Sequence, residues 1–169
     1  LWHLRCRVLA VDAYQDPHLV GLGVEYVDID QLFAESDLIS LNCPLTAETH
    51  HLVDAAAIDQ MRDGVMIVNT GRGALIDTEA VVDGLKRGKI GSLALDVYEE
   101  EGQLFFEDRS QQIIEDDVFA RLLTFPNVLI TAHQAFLTRE ALDAIATTTL
   151  SNVTAVLAGD ECDNTVTAD

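Results

Sequence analysis

Short apolar runs alternate with amphipathic stretches along the chain, and each apolar run ends in polar or glycine-rich residues. The runs rich in Val, Ile and Leu predict strands at residues 6–12, 24–27, 37–42, 65–69, 91–97 and 127–131. Patterns with helical spacing predict helices at residues 29–35, 54–61, 77–88, 117–125 and 138–158. Strands that alternate with helices in this way are typical of a parallel, doubly wound α/β sheet.

The stretch 65–77 is the strongest single signal. Its β-branched run ends abruptly in Gly71-Arg72-Gly73, and a helix is predicted to begin at Asp77. Open α/β sheets bind their ligands where parallel strands end. The fixed charge of Arg72 suits a carboxylate or a polarised carbonyl, although an ordinary surface arginine is the alternative.

Three chemically distinct residues follow three different predicted core strands: Arg72, Glu101 and His133. Because the carboxyl ends of parallel strands meet at one edge of a sheet, we expect these residues to line one crevice. Arg72 would bind a carboxylate and polarise the neighbouring carbonyl, and His133 would exchange a proton with an alcohol oxygen. Glu101 would orient the ring of His133, and a nicotinamide cofactor would supply a hydride.

The first predicted strand ends in Asp12, which is where dinucleotide-binding units place an acid against the adenine ribose. A turn or helix-cap role is the alternative. No G-x-G-x-x-G precedes this strand, and Gly21-Leu22-Gly23 is no substitute because Tyr26 stands where the third glycine would. We therefore expect a piece of a longer protein, with an incomplete sheet that lacks its first strand and phosphate loop and exposes two edges.

Composition, net charge and the positions of Cys and His argue against several classes of partner and against a metal site. The 169 residues are 49% hydrophobic, which predicts a globular domain with a core. A net charge of −19 argues against nucleic acid and anionic membranes as partners, and no apolar run is expected to span a bilayer. The widely spaced Cys6, Cys43 and Cys162 suggest reduced thiols in the cytoplasm and no metal site. His50 and His51 are expected to point apart, which is unsuited to a metal.

Three runs bear a specific resemblance to a known family: VNTGRGALID (68–77), LDVYEEEGQLFFED (95–108) and NVLITAHQAFLT (127–138). They resemble the D-isomer-specific 2-hydroxyacid dehydrogenases, and the long loop at 102–117 resembles that of the fermentative D-lactate dehydrogenase subgroup. The resemblance covers essentially the whole chain and implies a Rossmann-like fold. It implies that residues 1–159 are the C-terminal portion of an NAD-binding domain. Residues 160–169 would then be an acidic tail that returns towards the substrate domain.

The resemblance also implies roles for individual residues. Arg72 matches the arginine that binds the 2-oxo acid, Glu101 the acid of the D-V-Y-E-x-E segment, and His133 the acid/base histidine. Asp12 matches the ribose-binding acid, and Phe136 would line the substrate pocket. The remaining contacts to the cofactor, NAD, would come from Cys43, Pro44, Thr49, Thr70, Gly71 and Asp96. Gly71 replaces a serine that relatives often carry, and a homodimer of the full-length protein is implied.

Four functions stay open at this point. The first is a D-lactate dehydrogenase that reduces pyruvate with NADH, and Asp12 favours NAD over NADP because a carboxylate repels a 2′-phosphate. The second is a related enzyme acting on glycerate, phosphoglycerate or a bulkier 2-oxo acid; formate-oxidising relatives fit poorly because they carry glutamine at Glu101. The third is a non-enzymatic, NAD-responsive binding or corepressor module on the same fold. The fourth is that the fragment is inactive alone.

Overall fold

A computed structural model describes residues 6–104, 113–134, 137–162 and 164–166. The chain divides into two compact units, Leu1–His133 and Gln134–Asp169. The first contains all the strands of the described residues, and the second contains the long C-terminal helix. The division predicted at residue 159 concerns the domains of a longer protein and stays a prediction.

The strands of the first unit form two parallel sheets. Strands β1 and β2 pair with each other, and the four others pair in the order β3-β4-β5-β6. Each predicted strand is found, with ends shifted by no more than two residues. Their bounds are β1 Val8–Ala10, β2 Val24–Tyr26, β3 Leu38–Leu41, β4 Val65–Asn69, β5 Ile90–Leu95 and β6 Val128–Ile130.

The two sheets are not joined. Among the described residues no strand lies between β1 and β3, and each of these strands is hydrogen-bonded along one side only. Apolar side chains near these edges are partly exposed, with Leu38 at 44% and Val11 at 45%. The structure thus confirms the parallel α/β class and an incomplete sheet.

The helices begin where the sequence provides a side chain to cap them. Asp28, Asp54, Asp77, Asp116 and Thr138 each accept a hydrogen bond from a backbone N–H of the first turn. The helices of the described residues are α1 Pro17–Gly21, α2 Ile29–Glu35, α3 Ala55–Gln60, α4 Thr78–Lys86, α5 Glu101–Leu104, α6 Asp117–Leu122 and α7 Arg139–Ala158. The sequence analysis missed α1 and α5 because helices this short display no apolar periodicity.

The core lies between the larger sheet and the helices that cross it. Ile67 of β4, Leu93 of β5 and Leu122 of α6 are at most 2% exposed. Helix α4 packs closely on β5 at Gly84, where an added Cβ would lie 2.8 Å from Ile90 Cδ1. These residues place β4 and β5 in the core, and Arg72 and Glu101 follow the C-terminal ends of these two strands.

The second unit is built on α7. Thr138 caps its start, and Gly159 ends it in the left-handed conformation with φ of +75°. Helix α7 is long and apolar enough to cross a membrane by length and composition alone. By these two criteria, the expectation that no apolar run spans a bilayer is wrong. A core helix of a water-soluble protein passes the same test, and the absence of a membrane partner stays a prediction.

An ion-pair network around Arg7 generates a testable prediction about acid stability. The guanidinium donates to Glu25 in β2 at 2.6 Å and to Glu35 at the end of α2 at 2.5 Å. These bonds lower the pKa of both carboxyls below 4.5. Carboxyls with a lowered folded-state pKa stabilise the fold above their unfolded pKa, and this contribution disappears as the pH falls through the folded value.

We therefore expect Arg7→Gln to lower the thermal midpoint at pH 7 and to lose this effect in acid. The midpoints of wild type and variant should converge as the pH falls through the lowered pKa values of both carboxyls. Arg87→Gln, which breaks the exposed pair with Asp59 at 3.0 Å, is the matched control. A loss of stability for Arg7→Gln that stays constant from pH 7 to the acid limit of the folded state would contradict the prediction.

Candidate active site

The turn that carries Arg72 is held by a buried amide. Asn69, the last residue of β4, is fully buried, and its Nδ2 donates to the carbonyl of Arg72 at 2.8 Å. Its Oδ1 accepts from the backbone N–H of Gly71 at 3.1 Å. The backbone carbonyl of Asn69 also accepts from Asp96 N–H at the end of β5. The sequence analysis missed this residue, although an Asn at the end of a buried strand, two residues before a glycine, is a signal for such a turn.

Arg72 itself is exposed, and no carboxylate of the described residues neutralises its charge. Its Nη1 donates to the backbone carbonyl of Gly71 at 2.8 Å. Within the described ranges no carboxylate lies within ion-pair distance of its guanidinium. Other arginines of this acidic chain, such as Arg7, Arg62 and Arg87, each bind a carboxylate. Arg72 is therefore available to an anionic ligand.

An open cleft of about 490 Å³ lies at the C-terminal ends of β3 and β4. Arg72 lines this cleft together with four residues predicted to contact the cofactor, Cys43, Pro44, Thr70 and Gly71. The sequence analysis did not single out the other two lining residues, Asn42 and Leu45. The lining residues are Asn42, Cys43, Pro44, Leu45, Thr70, Gly71 and Arg72. Their roles towards a cofactor stay predictions.

Thr49 does not line the cleft but shapes its rim. Its Oγ1 donates to the carbonyl of Pro44 at 2.7 Å and accepts from Thr46 N–H at 2.8 Å. These bonds close the loop that follows β3 on itself. Thr49 therefore positions Pro44 whether or not it also touches a cofactor.

Glu101 and His133 are hydrogen-bonded to each other, as the sequence predicts. His133 Nδ1 lies 3.2 Å from Glu101 Oε1, and both side chains are partly buried. The other carboxylate oxygen of Glu101 accepts from Tyr98 N–H at 3.1 Å. Since a carboxylate oxygen accepts, the bond assigns the proton to Nδ1, and proton exchange with a ligand would then use Nε2.

The backbone that presents His133 is strained. Ala132 and His133 have φ of +55° and +57°, a conformation that residues other than glycine rarely adopt. His133 N–H donates to the backbone carbonyl of Asp96 at 2.5 Å. Such strain is typical of functional sites, where the surrounding structure maintains it.

Asp96 holds the ends of β5 and β6 together. Its side chain is 9% exposed and accepts a hydrogen bond from Thr131 Oγ1. Its backbone carbonyl accepts the hydrogen bond from His133 N–H. Its predicted contact with the nicotinamide amide stays a prediction.

The segment that follows β5 is anchored by Tyr98. The buried phenol donates to Asp116 Oδ2 at 2.7 Å, and burial, reinforced by Asp116, raises the pKa of Tyr98. Asp116 also caps α6 through Phe119 N–H. The segment that leads to Glu101 is thus attached to α6.

The Arg72 turn and the Glu101 segment pack against each other at Gly73. A Cβ added to Gly73 would lie 2.1 Å from the carbonyl carbon of Tyr98 and 2.4 Å from Glu99 N. Only a glycine allows this approach of the two backbones. Two of the three predicted catalytic residues are therefore carried by segments in direct contact.

The remaining predictions have mixed outcomes. Asp12 follows β1 and accepts from Tyr14 N–H at 2.9 Å, so it has the turn role considered as the alternative, while its ribose role stays a prediction. Phe136 lies outside the described residues.

The expectation that His50 and His51 point apart is wrong, because their rings stack with centroids 4.0 Å apart. Among the described residues no three His, Cys, Asp or Glu side chains are grouped to hold a metal.

Comparison with known proteins finds relatives that match most of this chain. D-lactate dehydrogenase of Escherichia coli strain K12 is 58% identical over 158 residues, which are 94% of this chain and 48% of that protein. The structure of Salmonella D-lactate dehydrogenase superposes with a TM-score of 0.81 at 57% identity, covering 95% of this chain and 49% of that one. The structure of D-lactate dehydrogenase from Aquifex aeolicus complexed with NAD and lactic acid gives a TM-score of 0.78 at 37% identity, covering 91% and 47%.

The chain spans about half the length of the curated relatives that it matches. The family described as D-isomer specific 2-hydroxyacid dehydrogenase, NAD binding domain, matches residues 1–135. These residues include the cleft, Arg72, Glu101 and His133. The chain therefore belongs to the NAD-binding domain of the D-isomer-specific 2-hydroxyacid dehydrogenases.

Proposed function

We propose that this chain is part of an NAD-dependent D-2-hydroxyacid dehydrogenase that reduces pyruvate to D-lactate. The hydrogen bond between Glu101 and His133 carries the proposal, because a carboxylate-oriented imidazole is what proton transfer to an alkoxide oxygen requires. The uncompensated Arg72 provides the cation for the substrate carboxylate. Arg72, Glu101 and His133 lie on the segments that follow three neighbouring parallel strands, β4, β5 and β6.

The residues present fit a nicotinamide dinucleotide. The cleft opens at the C-terminal ends of parallel strands, and Gly71 forms part of its wall without a side chain. A Cβ at Gly71 would meet Leu41 O at 3.3 Å, so the turn sits close to the end of β3. Cys43, Pro44 and Thr70 would contact the cofactor from the same cleft, and bound NADH would supply the hydride.

The protein residues would then act on the substrate in complementary ways. Arg72 would bind the carboxylate of the 2-oxo acid in a bidentate manner and draw electron density from the adjacent carbonyl. His133 would donate a proton to the carbonyl oxygen as the carbon accepts the hydride, which yields the 2-hydroxy acid. Glu101 would keep the ring in place and stabilise the imidazolium before the proton leaves.

Two observations favour a lactate-type substrate over a larger one. The segment 102–117 resembles the loop of D-lactate dehydrogenases, and relatives of 58% and 57% identity are proteins of that name. The corepressor alternative is disfavoured because it requires neither a paired imidazole nor a free guanidinium. Cys6, Cys43 and Cys162 form no disulfide among the described residues, which supports a cytoplasmic location, and we extend the proposal to a homodimer of the full-length protein.

The first test is NADH oxidation with pyruvate, followed at 340 nm, in the full-length protein that contains this chain. We expect His133→Gln to lower kcat by roughly 10²- to 10⁴-fold, because it removes the proton donor. Arg72→Lys should lower kcat/KM for pyruvate by about 10²-fold, since an ammonium cannot reproduce the bidentate fork.

Matched controls come from the surface of the same chain. His18→Gln on α1 and Arg87→Lys at the end of α4 change the same residue types away from the cleft and should leave kcat unchanged. A well-folded wild type that binds NADH but reduces no 2-oxo acid would refute the enzymatic proposal and favour the binding module. Preferential turnover of a bulkier 2-oxo acid would refute only the lactate assignment.

The second test concerns the cofactor and Asp12. We expect the wild type to prefer NADH over NADPH, and Asp12→Asn to weaken NADH binding by roughly 10- to 100-fold through loss of charge-assisted hydrogen bonds. NADPH binding should weaken less, because the repulsion of its 2′-phosphate is relieved at the same time. Fluorescence titration of both cofactors measures the two constants, with the exposed Asp30→Asn on α2 as control. A wild-type preference for NADPH would overturn the assignment.

A further inference from the structure

We propose that Glu99 is a positioning residue that sets the geometry between the Arg72 turn and Glu101. The inference rests on the proposed function, in which both of these residues act on the substrate. Glu99 belongs to an acidic run that, from the sequence, has the appearance of a solvated loop. In the structure its side chain is 24% exposed and makes contacts with two other parts of the chain.

Both carboxylate oxygens of Glu99 are engaged by donors. Oε2 accepts from the backbone N–H of Thr78 at 3.1 Å and from Thr78 Oγ1 at 2.5 Å. Oε1 lies 2.7 Å from His51 Nε2, which donates to it. A group that accepts on both oxygens cannot be replaced by an amide without turning an NH2 towards a donor.

Both partners of Glu99 are tied to the segment that follows Arg72. Thr78 is the first residue of α4, which begins six residues after Arg72, and it is buried at 6% exposure. His51 donates from its backbone N–H to Ala74 O at 2.8 Å, in the 3₁₀ turn that follows Arg72. His51 is also held at a φ of +51°, a conformation that needs support from its surroundings.

The backbone of Glu99 is fixed against the same turn. Gly73 packs on the Tyr98–Glu99 peptide with no room for a Cβ. Two residues further on, α5 begins at Glu101, whose carboxylate reaches His133. Glu99 therefore connects, through short contacts, the segment that binds the substrate carboxylate to the segment that orients the proton donor.

Positioning of this kind affects catalysis and substrate binding more than cofactor binding. A displacement of about 1 Å between reacting groups costs up to about 10²-fold in rate. Among the described residues, the hydrogen bonds and the ion pair of Glu99 go to Thr78 and His51 and not to the cleft residues Cys43, Pro44 and Thr70, so cofactor affinity should be little changed. The neighbouring Glu100 is exposed and makes no contact of the kind described for Glu99 within the described residues, which provides a matched control one position away.

The experiment compares Glu99→Gln with Glu100→Gln in the full-length protein. We expect Glu99→Gln to lower the single-turnover rate of hydride transfer by about 10- to 100-fold. It should weaken binding of the pyruvate analogue oxamate, with the dissociation constant of NADH unchanged. Glu100→Gln should match the wild type in all three measurements. Thr78→Val, which removes the hydroxyl bonded to Glu99, should show part of the same loss in rate. Thr78→Ser, which retains the hydroxyl, should keep the wild-type rate.

A readout independent of turnover separates this proposal from the proposed function. Hydrogen exchange of the Tyr98 and Gly71 amides reports on the bonds to Glu101 and Asn69, and both amides should exchange faster in Glu99→Gln but not in Glu100→Gln. If the wild type reduces no 2-oxo acid, the function fails while this exchange pattern still tests the positioning. Native exchange at both amides, or a folded Glu99→Gln variant with the wild-type rate, would overturn the inference.

Discussion

The structure of the site depends on the hydrogen bonds of one buried amide, that of Asn69. A fully buried amide that lost its partners would cost about 1–3 kcal/mol, so its position is strongly specified. The oxygen and the nitrogen of this side-chain amide both bond to the backbone of the Arg72 turn. The backbone carbonyl of Asn69 accepts from Asp96 N–H at the end of β5. The cation at the cleft is therefore fixed by the core of the sheet rather than by the loop that carries it.

The imidazole is held by a comparable arrangement on the next pair of strands. Asp96 binds the hydroxyl of Thr131 through its side chain and the N–H of His133 through its backbone. These contacts maintain a strained backbone at the end of β6, and Glu101 then orients the ring from the other side. The functional groups lie on short segments, but each segment is anchored at a buried strand end, which is how a parallel sheet combines a rigid frame with an adaptable site.

Much of this arrangement could be predicted from the sequence. The strand that ends in Gly71-Arg72-Gly73 follows from an apolar run that stops at chemically distinct residues, and the role of Glu101, the last of three consecutive glutamates, is implied by the family resemblance. The contacts that hold them could not be predicted, because they join residues far apart in the chain. Glu99 is indistinguishable from Glu100 in sequence, yet one is bonded to Thr78 and His51 while the other faces solvent. Short helices such as α5 were missed because a single turn has no periodicity.

The uncompensated Arg72 has a consequence for how an anionic substrate reaches the cleft. The chain carries 29 acidic residues against 10 basic ones, so at long range its field repels a 2-oxo acid as well as a dinucleotide. At physiological ionic strength this repulsion is screened beyond about 8 Å, which leaves Arg72 as an attractive centre that acts only near the mouth of the cleft. Capture of the proposed substrate would therefore be governed by a short-range attraction to Arg72 that is surrounded by a longer-range repulsion, and added salt would weaken the long-range repulsion more than the final contact.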